Sequence, residues 1–346
     1  MRILYGVCGE GFGHSSRAKE IIKHLENKGH TILIITYGQA TEVLKEFNLI
    51  EIEGISLSFS QGKLSLSKTV IDNLKKIPKN LKNWDKIKEK ISKFKPQICI
   101  SDMEVLVPII SYWKGLPLIS IDNQHRLTHM TLDIPTIYSK DFLIARTAIN
   151  ACISRADAFI IMSFSKSKII RDKEKTYIVN PLLRNEIINL KKKESDFFLV
   201  YQTKPDSSLI SILKNIPKKF IVYGYNKERQ QGNLIFKKTN KNFINDLAAS
   251  KAVIASSGFT LMSEAIYLKK PYFAIPLKGQ FEQTLNSLFL QKSGLGTFSV
   301  NPREIEIRGF ISNLNKYKQK LNANKTNPTQ AIKVLDNLLL KISKLP

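Results

Sequence analysis

The stretch that most limits what this chain can become lies between residues 252 and 268. Ala252-Val253-Ile254-Ala255 is a short apolar run that reads as a buried strand, and residues 265–268 read as the body of a helix. Ser256, Ser257, Gly258, Phe259 and Thr260 stand between them, so small residues occupy a strand-to-helix turn. Such a turn aims backbone N–H groups and the positive end of a helix at whatever lies above it, and phosphate is the usual guest. Glu264 follows Thr260 by about one helical turn. There its carboxylate can accept hydrogen bonds from a pair of ribose hydroxyls. The competing reading is an ordinary junction with Ser or Thr as the helix cap.

The next strand end adds to the first reading. An apolar run over residues 271–275 is followed by Pro276-Leu277-Lys278-Gly279-Gln280-Phe281-Glu282-Gln283, which opens another helix. Two successive strand ends thus offer polar groups to one crevice, where open α/β sheets bind ligands.

A chain of 346 residues, 43% of them apolar, predicts two domains with full-sized cores. No apolar run is long enough for a membrane-spanning helix, and the N-terminus lacks the order of a secretion signal. Arg2–Val7 reads as a strand and residues 9–14, GEGFGH, as a glycine-rich loop. A helix follows over 15–28, with Ala18, Ile21, Ile22 and Leu25 on one face and Gly29 as its stop. A second strand over 30–38 completes a βαβ unit. The loop has neither the G-x-G-x-x-G spacing nor a following Gly-Lys-Ser/Thr, so it is neither a dinucleotide fingerprint nor a P-loop. It ends in His14, whose imidazole suits proton transfer near neutrality.

Two further strands, over 97–101 and 117–121, also end in polar residues: Asp102 and Glu104 after the first, Asp122, Asn123, Gln124 and His125 after the second. One of these acids, or His14, can deprotonate a hydroxyl, and the sequence does not choose among them. A helix over 137–153, a strand over 158–162 and a short strand within 175–184 end the first domain, with Pro181 and the charged run 191–194 at the boundary. The second domain starts with a strand over 196–203. A Pro205-led helix, strands over 219–223 and 233–237 and a helix over 243–249 follow. Beyond Gly296 two helices are expected, split at Asn327-Pro328.

The net charge is +25, from 54 basic and 29 acidic residues. Such a field favours anionic partners. Only ten of the basic residues are Arg, and neither a nucleic-acid motif nor basic–aromatic interleaving occurs. Nucleic acid is therefore not expected as a partner. Residues 63–95 hold eleven Lys against Asp72, Asp85 and Glu89, with apolar residues at helical spacing interrupted by Pro78. They read as two amphipathic helices with a basic face, suited to an anionic membrane surface. Cys8, Cys99 and Cys152 are far apart and odd in number, which points to buried thiols in a reducing cytoplasm. No His/Cys spacing suggests zinc.

Residues 256–296, SSGFTLMSEAIYLKKPYFAIPLKGQFEQTLNSLFLQKSGLG, resemble the donor-binding region of nucleotide-sugar glycosyltransferases of the GT-B fold, family 28 above all. That family includes the enzyme adding N-acetylglucosamine to the lipid-linked peptidoglycan precursor. An archaeal and bacterial subgroup of the superfamily is also similar. The resemblance runs through most of the chain. It implies an α/β fold of two Rossmann-like domains facing a cleft: 1–184 on the acceptor side, 185–325 holding the nucleotide sugar, and a helix within 326–346 that can pack back on the first.

It further implies inverting transfer of a sugar, an N-acetylhexosamine by analogy, from a UDP-sugar to a lipid-linked or glycan acceptor. No cofactor or bound metal is expected, and the enzyme would be cytoplasmic, peripheral at the inner face of the membrane. Gly11, Gly13 and His14 would face the acceptor and the donor phosphate, with Asp102, Glu104, Asp122 and His125 as the other catalytic candidates. Ser257, Gly258, Phe259 and Thr260 would hold the diphosphate and Glu264 the ribose. Gln280, Glu282 and Gln283 would bind the sugar, and Ile244 the uracil edge through its backbone.

Tyr201-Gln202-Thr203-Lys204 stands where relatives have a glycine-rich loop, so Thr203 or Lys204 would substitute there. A UDP-sugar 2-epimerase of the same fold and a non-catalytic nucleotide-sugar or anion-binding protein are the alternatives.

Overall fold

The computed structural model describes residues 1–56, 58–60, 63–64, 66–164, 167–170, 175–190, 194–239 and 242–343. The side chains of residues 59–60, 63–64, 66–67, 70, 74 and 77–82 are outside that description as well. The chain forms two compact units, one of residues 1–184 and 327–346, the other of residues 185–326.

The first unit begins with β1 (Arg2–Val7), α1 (Phe12–Asn27), β2 (Thr31–Thr36), α2 (Gln39–Leu44) and β3 (Leu49–Glu51). A small hairpin, β4 (Phe59–Ser60) and β5 (Lys63–Leu64), precedes α3 (Leu66–Leu74) and α4 (Ile77–Phe94). Then come β6 (Ile98–Asp102), α5 (Leu106–Lys114), β7 (Leu118–Asp122), α6 (Arg126–His129), α7 (Ser139–Cys152), β8 (Ala158–Met162) and β9 (Thr176–Val179).

The main sheet has the order β3-β2-β1-β6-β7-β8-β9, and its neighbours pair in parallel. Its central strands are buried along their length, as a sheet covered on both faces requires. Strand order reverses between β1 and β6, so the ends of these two strands flank a topological switch point.

The second unit repeats the plan. After α8 (Asn185–Ile188) it runs β10 (Phe198–Tyr201), α9 (Ser207–Lys214), β11 (Phe220–Tyr223), β12 (Arg229–Gln231) and β13 (Leu234–Phe236). It continues with α10 (Asn242–Ala249), β14 (Ala252–Ser256), α11 (Phe259–Tyr267), β15 (Tyr272–Ile275), α12 (Phe281–Lys292) and β16 (Gly296–Phe298). The sheet order is β12-β13-β11-β10-β14-β15-β16, parallel except for the exposed edge strand β12. Its switch point lies between β10 and β14. Phe198, Val200, Phe220, Val222, Phe273 and Phe310 are among the side chains of its core.

Residues 297–343 hold three helices where the sequence suggested two: α13 (Glu304–Ser312), α14 (Leu314–Ala323) and α15 (Gln330–Ile342). The polar pair Ser312-Asn313 separates the first two. α15 belongs to the first unit, where it packs on β8 and β9 with Ala331, Leu335 and Leu339 buried. The short elements β3, α2, β12 and β16 carry too few apolar residues to show as periodic runs. Residues 191–193, read from sequence as part of the boundary, are outside the described residues.

Candidate functional site

In the first unit the polar residues meet at the switch point. Gly11 takes φ +76, a value that favours glycine, and the chain turns at once into α1. The helix therefore starts at Phe12 rather than Ser15, and Gly13 and His14 sit in its first turn. β6 ends at Asp102, whose side chain is wholly buried. His14 Nδ1 lies 2.7 Å from Asp102 Oδ1. Arg17, one turn further along α1, donates from Nη2 to both Asp102 oxygens at 2.6 and 2.8 Å and from Nε to Oδ2 at 3.0 Å. Burial alone would lower the Arg17 pKa, but the Asp102 carboxylate outweighs it and raises the value. Arg17 Nη1 also donates to Asn123 Oδ1 at 3.2 Å.

His14 Nδ1 has two neighbours, Asp102 Oδ1 at 2.7 Å and Arg17 Nη2, which can only donate, at 3.2 Å. The shorter contact, to the accepting carboxylate, puts the proton on Nδ1. Gln124 Oε1 accepts from the Asn123 amide, which leaves its Nε2 as the donor 3.2 Å from His14 Nε2. The second ring nitrogen is thus an acceptor on a side chain that is 13% exposed. A neutral imidazole, oriented by an acid that is clamped by a guanidinium, is equipped to take a proton from a hydroxyl.

The other strand-end candidates turn inward, which corrects the expectation that any of them stands ready for a substrate. His125 is fully buried. Its Nδ1 lies 2.6 Å from Asp122 Oδ2 and its Nε2 3.1 Å from the Ile153 carbonyl, so both nitrogens are engaged inside the unit. Asp122 also accepts from the His125 amide and from Ser120 Oγ. Burial would raise its pKa, but His125 and these donors hold it well below the usual carboxylate range. Glu104 caps α5: Oε1 accepts from the Leu106 amide at 2.7 Å and Oε2 from the Val107 amide at 2.8 Å. Desolvation pushes its pKa up to about 7 despite these donors. Cys8, at the end of β1, is held by burial at about 12 with its Sγ 3.2 Å from Tyr37 Oη, so it is no thiolate nucleophile.

In the second unit, β14 ends in Ser256, Ser257 follows, and Gly258, which has no side chain to cap with, is the N-terminal cap residue of α11. Gly258 has φ −65 and ψ 135, which any residue adopts, and a Cβ built there would meet nothing within 4 Å. Neither backbone geometry nor protein packing explains this glycine. What it leaves is open space above a helix N-terminus, room for a group from outside the chain. Phe259 is buried and Thr260 half-buried in that first turn.

Ser257 is fully buried, and its Oγ accepts from Ser287 Oγ at 2.7 Å while its carbonyl accepts from Asn286 Nδ2 at 2.9 Å. Its side chain therefore braces the turn from inside the unit. Glu264, one turn in, is 1% exposed and helps to raise the pKa of buried Tyr272 after the larger effect of burial.

Gln283 is braced too: its Oε1 accepts from the Leu277 amide at 3.0 Å and its Nε2 donates to Gln280 Oε1 at 2.8 Å. Its amide shapes the loop after β15, leaving Gln280 and Glu282, both half-buried, as the sugar-side candidates. Thr203 is exposed beside Ser256, and Ile244 is half-buried on α10.

Sequence reasoning missed Arg17 and Ser287. The only sequence signal for Arg17 was its spacing, three residues after His14 on the buried face of α1.

On the outside of the first unit, Ile109, Tyr112 and Trp113 of α5 are exposed, Tyr112 by 83% and Trp113 by 66%. Trp84 of α4 meets Trp113 edge-on at 6.1 Å. Together with Lys88, Ile91, Ile110 and Lys114 they line a cavity of about 220 Å³. This surface overlaps the basic segment 63–95. The side chains of Leu64, Leu66, Val70, Leu74, Ile77 and Leu81 in that segment are outside the described residues. No helix among the described residues is long and apolar enough to cross a membrane, and no group of three His, Cys, Asp or Glu among them is placed to hold a metal ion.

Comparison with known proteins agrees with this layout. The profile of the family described as Glycosyl transferase family 1 matches residues 1–315. An "uncharacterized glycosyltransferase" of Methanosarcina mazei is 26% identical, covering 93% of this chain and 92% of that protein. The UDP-N-acetylglucosamine–N-acetylmuramyl-(pentapeptide) pyrophosphoryl-undecaprenol N-acetylglucosamine transferase of Thermosipho africanus is 27% identical, covering 97% and 98%. Among solved structures, the calicheamicin glycosyltransferase CalG4 superimposes with a TM-score of 0.69 at 11% identity, covering 100% of this chain and 99% of its own, a likeness of fold.

Proposed function

Because the chain belongs to glycosyl transferase family 1, we propose that it transfers a sugar, an N-acetylhexosamine, from a UDP-sugar to a lipid-linked or glycan acceptor, with inversion and without a bound metal. The observation that carries the reading is the His14–Asp102–Arg17 array, which a binding protein has no use for. His14 Nε2 takes the proton of the acceptor hydroxyl. The acceptor oxygen bonds to the anomeric carbon from the face opposite the diphosphate. The anomeric C–O bond to the diphosphate breaks, and its electron pair leaves with the nucleoside diphosphate.

The open turn at Gly258 holds the diphosphate on the N-terminus of α11, with the Thr260 hydroxyl and the backbone of Ser257 and Phe259 beside it. That positive helix end meets the charge that develops on the leaving group. Glu264 binds the ribose, and Gln280 and Glu282 bind the sugar. Support for the donor and for the class of acceptor comes from the name of the Thermosipho africanus relative.

Calorimetric titration with UDP, GDP and UDP-N-acetylglucosamine in the presence of EDTA tests the reading. Wild type should bind a uridine nucleotide saturably and release UDP slowly from the UDP-sugar. Gly258→Val fills the open space at the cost of about 1 kcal/mol of cap preference. It should keep the fold and lose at least about ten-fold in affinity, the loss of roughly one charge-assisted hydrogen bond. Absence of nucleotide binding, or a Gly258→Val protein that binds like wild type, would remove the donor site. Interconversion of the sugar without transfer would make the protein an epimerase.

The exposed aromatic face with Lys88 and Lys114 is proposed as the contact with the inner face of an anionic membrane. Aromatic rings favour the interfacial layer and each lysine near it adds about 1 kcal/mol. The chain has two tryptophans, and both lie on this face. Their emission should shift to the blue with phosphatidylglycerol vesicles and stay put with phosphatidylcholine. An unchanged spectrum with both ends this assignment.

A further inference from the structure

The loop that follows β7 reaches back to the nitrogen of His14 that has to take the proton. Its backbone is clamped along its length. The His125 amide donates to Asp122 Oδ1 at 2.8 Å, and Arg126 Nε donates to the Asn123 carbonyl at 2.6 Å. The Leu127 amide donates to the Gln124 carbonyl at 3.0 Å where the chain enters α6. The Asn123 side chain is held in turn by Arg17 of α1, at 3.2 Å. What this frame presents to His14 is the carboxamide of Gln124, a residue only 7% exposed.

That carboxamide has a fixed orientation. Its Oε1 accepts from the Asn123 amide at 3.2 Å, so its Nε2 is the atom that lies 3.2 Å from His14 Nε2. An amide nitrogen only donates, so the hydrogen bond runs from Gln124 into the imidazole lone pair. Asp102, at the end of β6, holds the proton on Nδ1, while Gln124, after β7, occupies the other nitrogen. The ring needs no second holder, since the buried carboxylate at 2.7 Å already orients it. What the amide adds is a cover over the base.

A sugar transferase has a use for such a cover. Water is a hydroxyl too, and a bare base beside an activated sugar would hydrolyse the donor. We propose that Gln124 suppresses this hydrolysis: its amide occupies the His14 Nε2 lone pair until an acceptor hydroxyl displaces it. The inference rests on the transfer reaction proposed above. An acceptor brings binding energy from the rest of its molecule to move the amide aside, and water brings none. The entering hydroxyl donates to Nε2, and the displaced amide turns to donate to the oxygen of that hydroxyl, so neither group is left unpaired. The oxygen then bonds to the anomeric carbon as its proton passes to His14. The C–O bond to the diphosphate breaks, with its electron pair on the nucleoside diphosphate.

The test is incubation with UDP-N-acetylglucosamine and no acceptor, with free sugar and UDP measured beside calorimetric donor affinity. Gln124→Ala should hydrolyse the donor about ten-fold faster than wild type, the rate equivalent of one neutral hydrogen bond that water no longer has to displace. Its donor affinity should not change. Gln124→Glu should do the opposite. A carboxylate there needs a proton between itself and Nε2, which leaves no lone pair for water, and hydrolysis should fall below wild type. The double variant His14→Ala, Gln124→Ala should lose the gain, because the proton of the water then has no base to go to. If Gln124→Ala binds the donor like wild type and hydrolyses it no faster, the cover is overturned and the donor site stands. A gain that survives in the double variant would show that water does not use His14, and overturns it as well. If wild type neither binds nor hydrolyses the UDP-sugar, the transfer reading falls and this inference falls with it.

Discussion

Replacing His14 by alanine is expected to slow sugar transfer about a thousand-fold, within the range for loss of a positioned general base, and to leave UDP-sugar binding unchanged. The expectation follows from the tautomer. Nδ1–H is committed to Asp102 at 2.7 Å, so the Nε2 lone pair is the one basic site the array offers. Asp102→Asn should lose activity for a related reason, since an amide can donate to Nδ1 and turn the ring to the wrong tautomer. Release of UDP from the donor, measured beside calorimetric donor affinity, separates the two effects. A His14→Ala protein with turnover within ten-fold of wild type would take the imidazole out of the mechanism.

Arg17→Met should cost about 3–5 kcal/mol of stability, the usual penalty for stranding a buried charge. The Asp102 side chain is wholly inaccessible and takes three hydrogen bonds from the guanidinium. For a unit of this size that is a fall in Tm of roughly 10 °C. The double variant Arg17→Met, Asp102→Asn should regain a good part of the loss, because the uncompensated charge goes with it. Scanning calorimetry on the three variants measures this. A single-variant Tm within about 2 °C of wild type would mean that water, not Arg17, solvates Asp102.

The strands were legible because the central strands of both sheets are parallel and doubly covered, so each is a short unbroken apolar run such as Ile98–Ile100 or Val253–Ala255. Their polar C-terminal ends were legible for the same reason, and His14, Asp102 and Gly258 came from that rule. What the rule cannot do is say which polar residues look outward. Glu104, Asp122 and His125 stand at strand ends and satisfy their own backbone, while Ser257 and Gln283 brace the turns they belong to. A run of sequence looks the same in both cases. Arg17 was missed because its partner is 85 residues away, and only the β1–β6 pairing brings the two together. Ser287, thirty positions from Ser257, was hidden likewise by the distance between β14 and α12.

The first unit is interrupted: its sheet is made of residues before 185, yet α15, which covers β8 and β9, comes from residues after 326. On the ribosome this fixes an order of events. At about 5–20 residues per second, the 142 residues of 185–326 take roughly 7–28 s to emerge. Throughout that interval the β8–β9 face lacks the leucines that will close it, whereas the second unit, continuous in sequence, has every part it needs. The second unit can therefore mature on the nascent chain before the first is complete, and the uncovered face is the surface a chaperone would meet first.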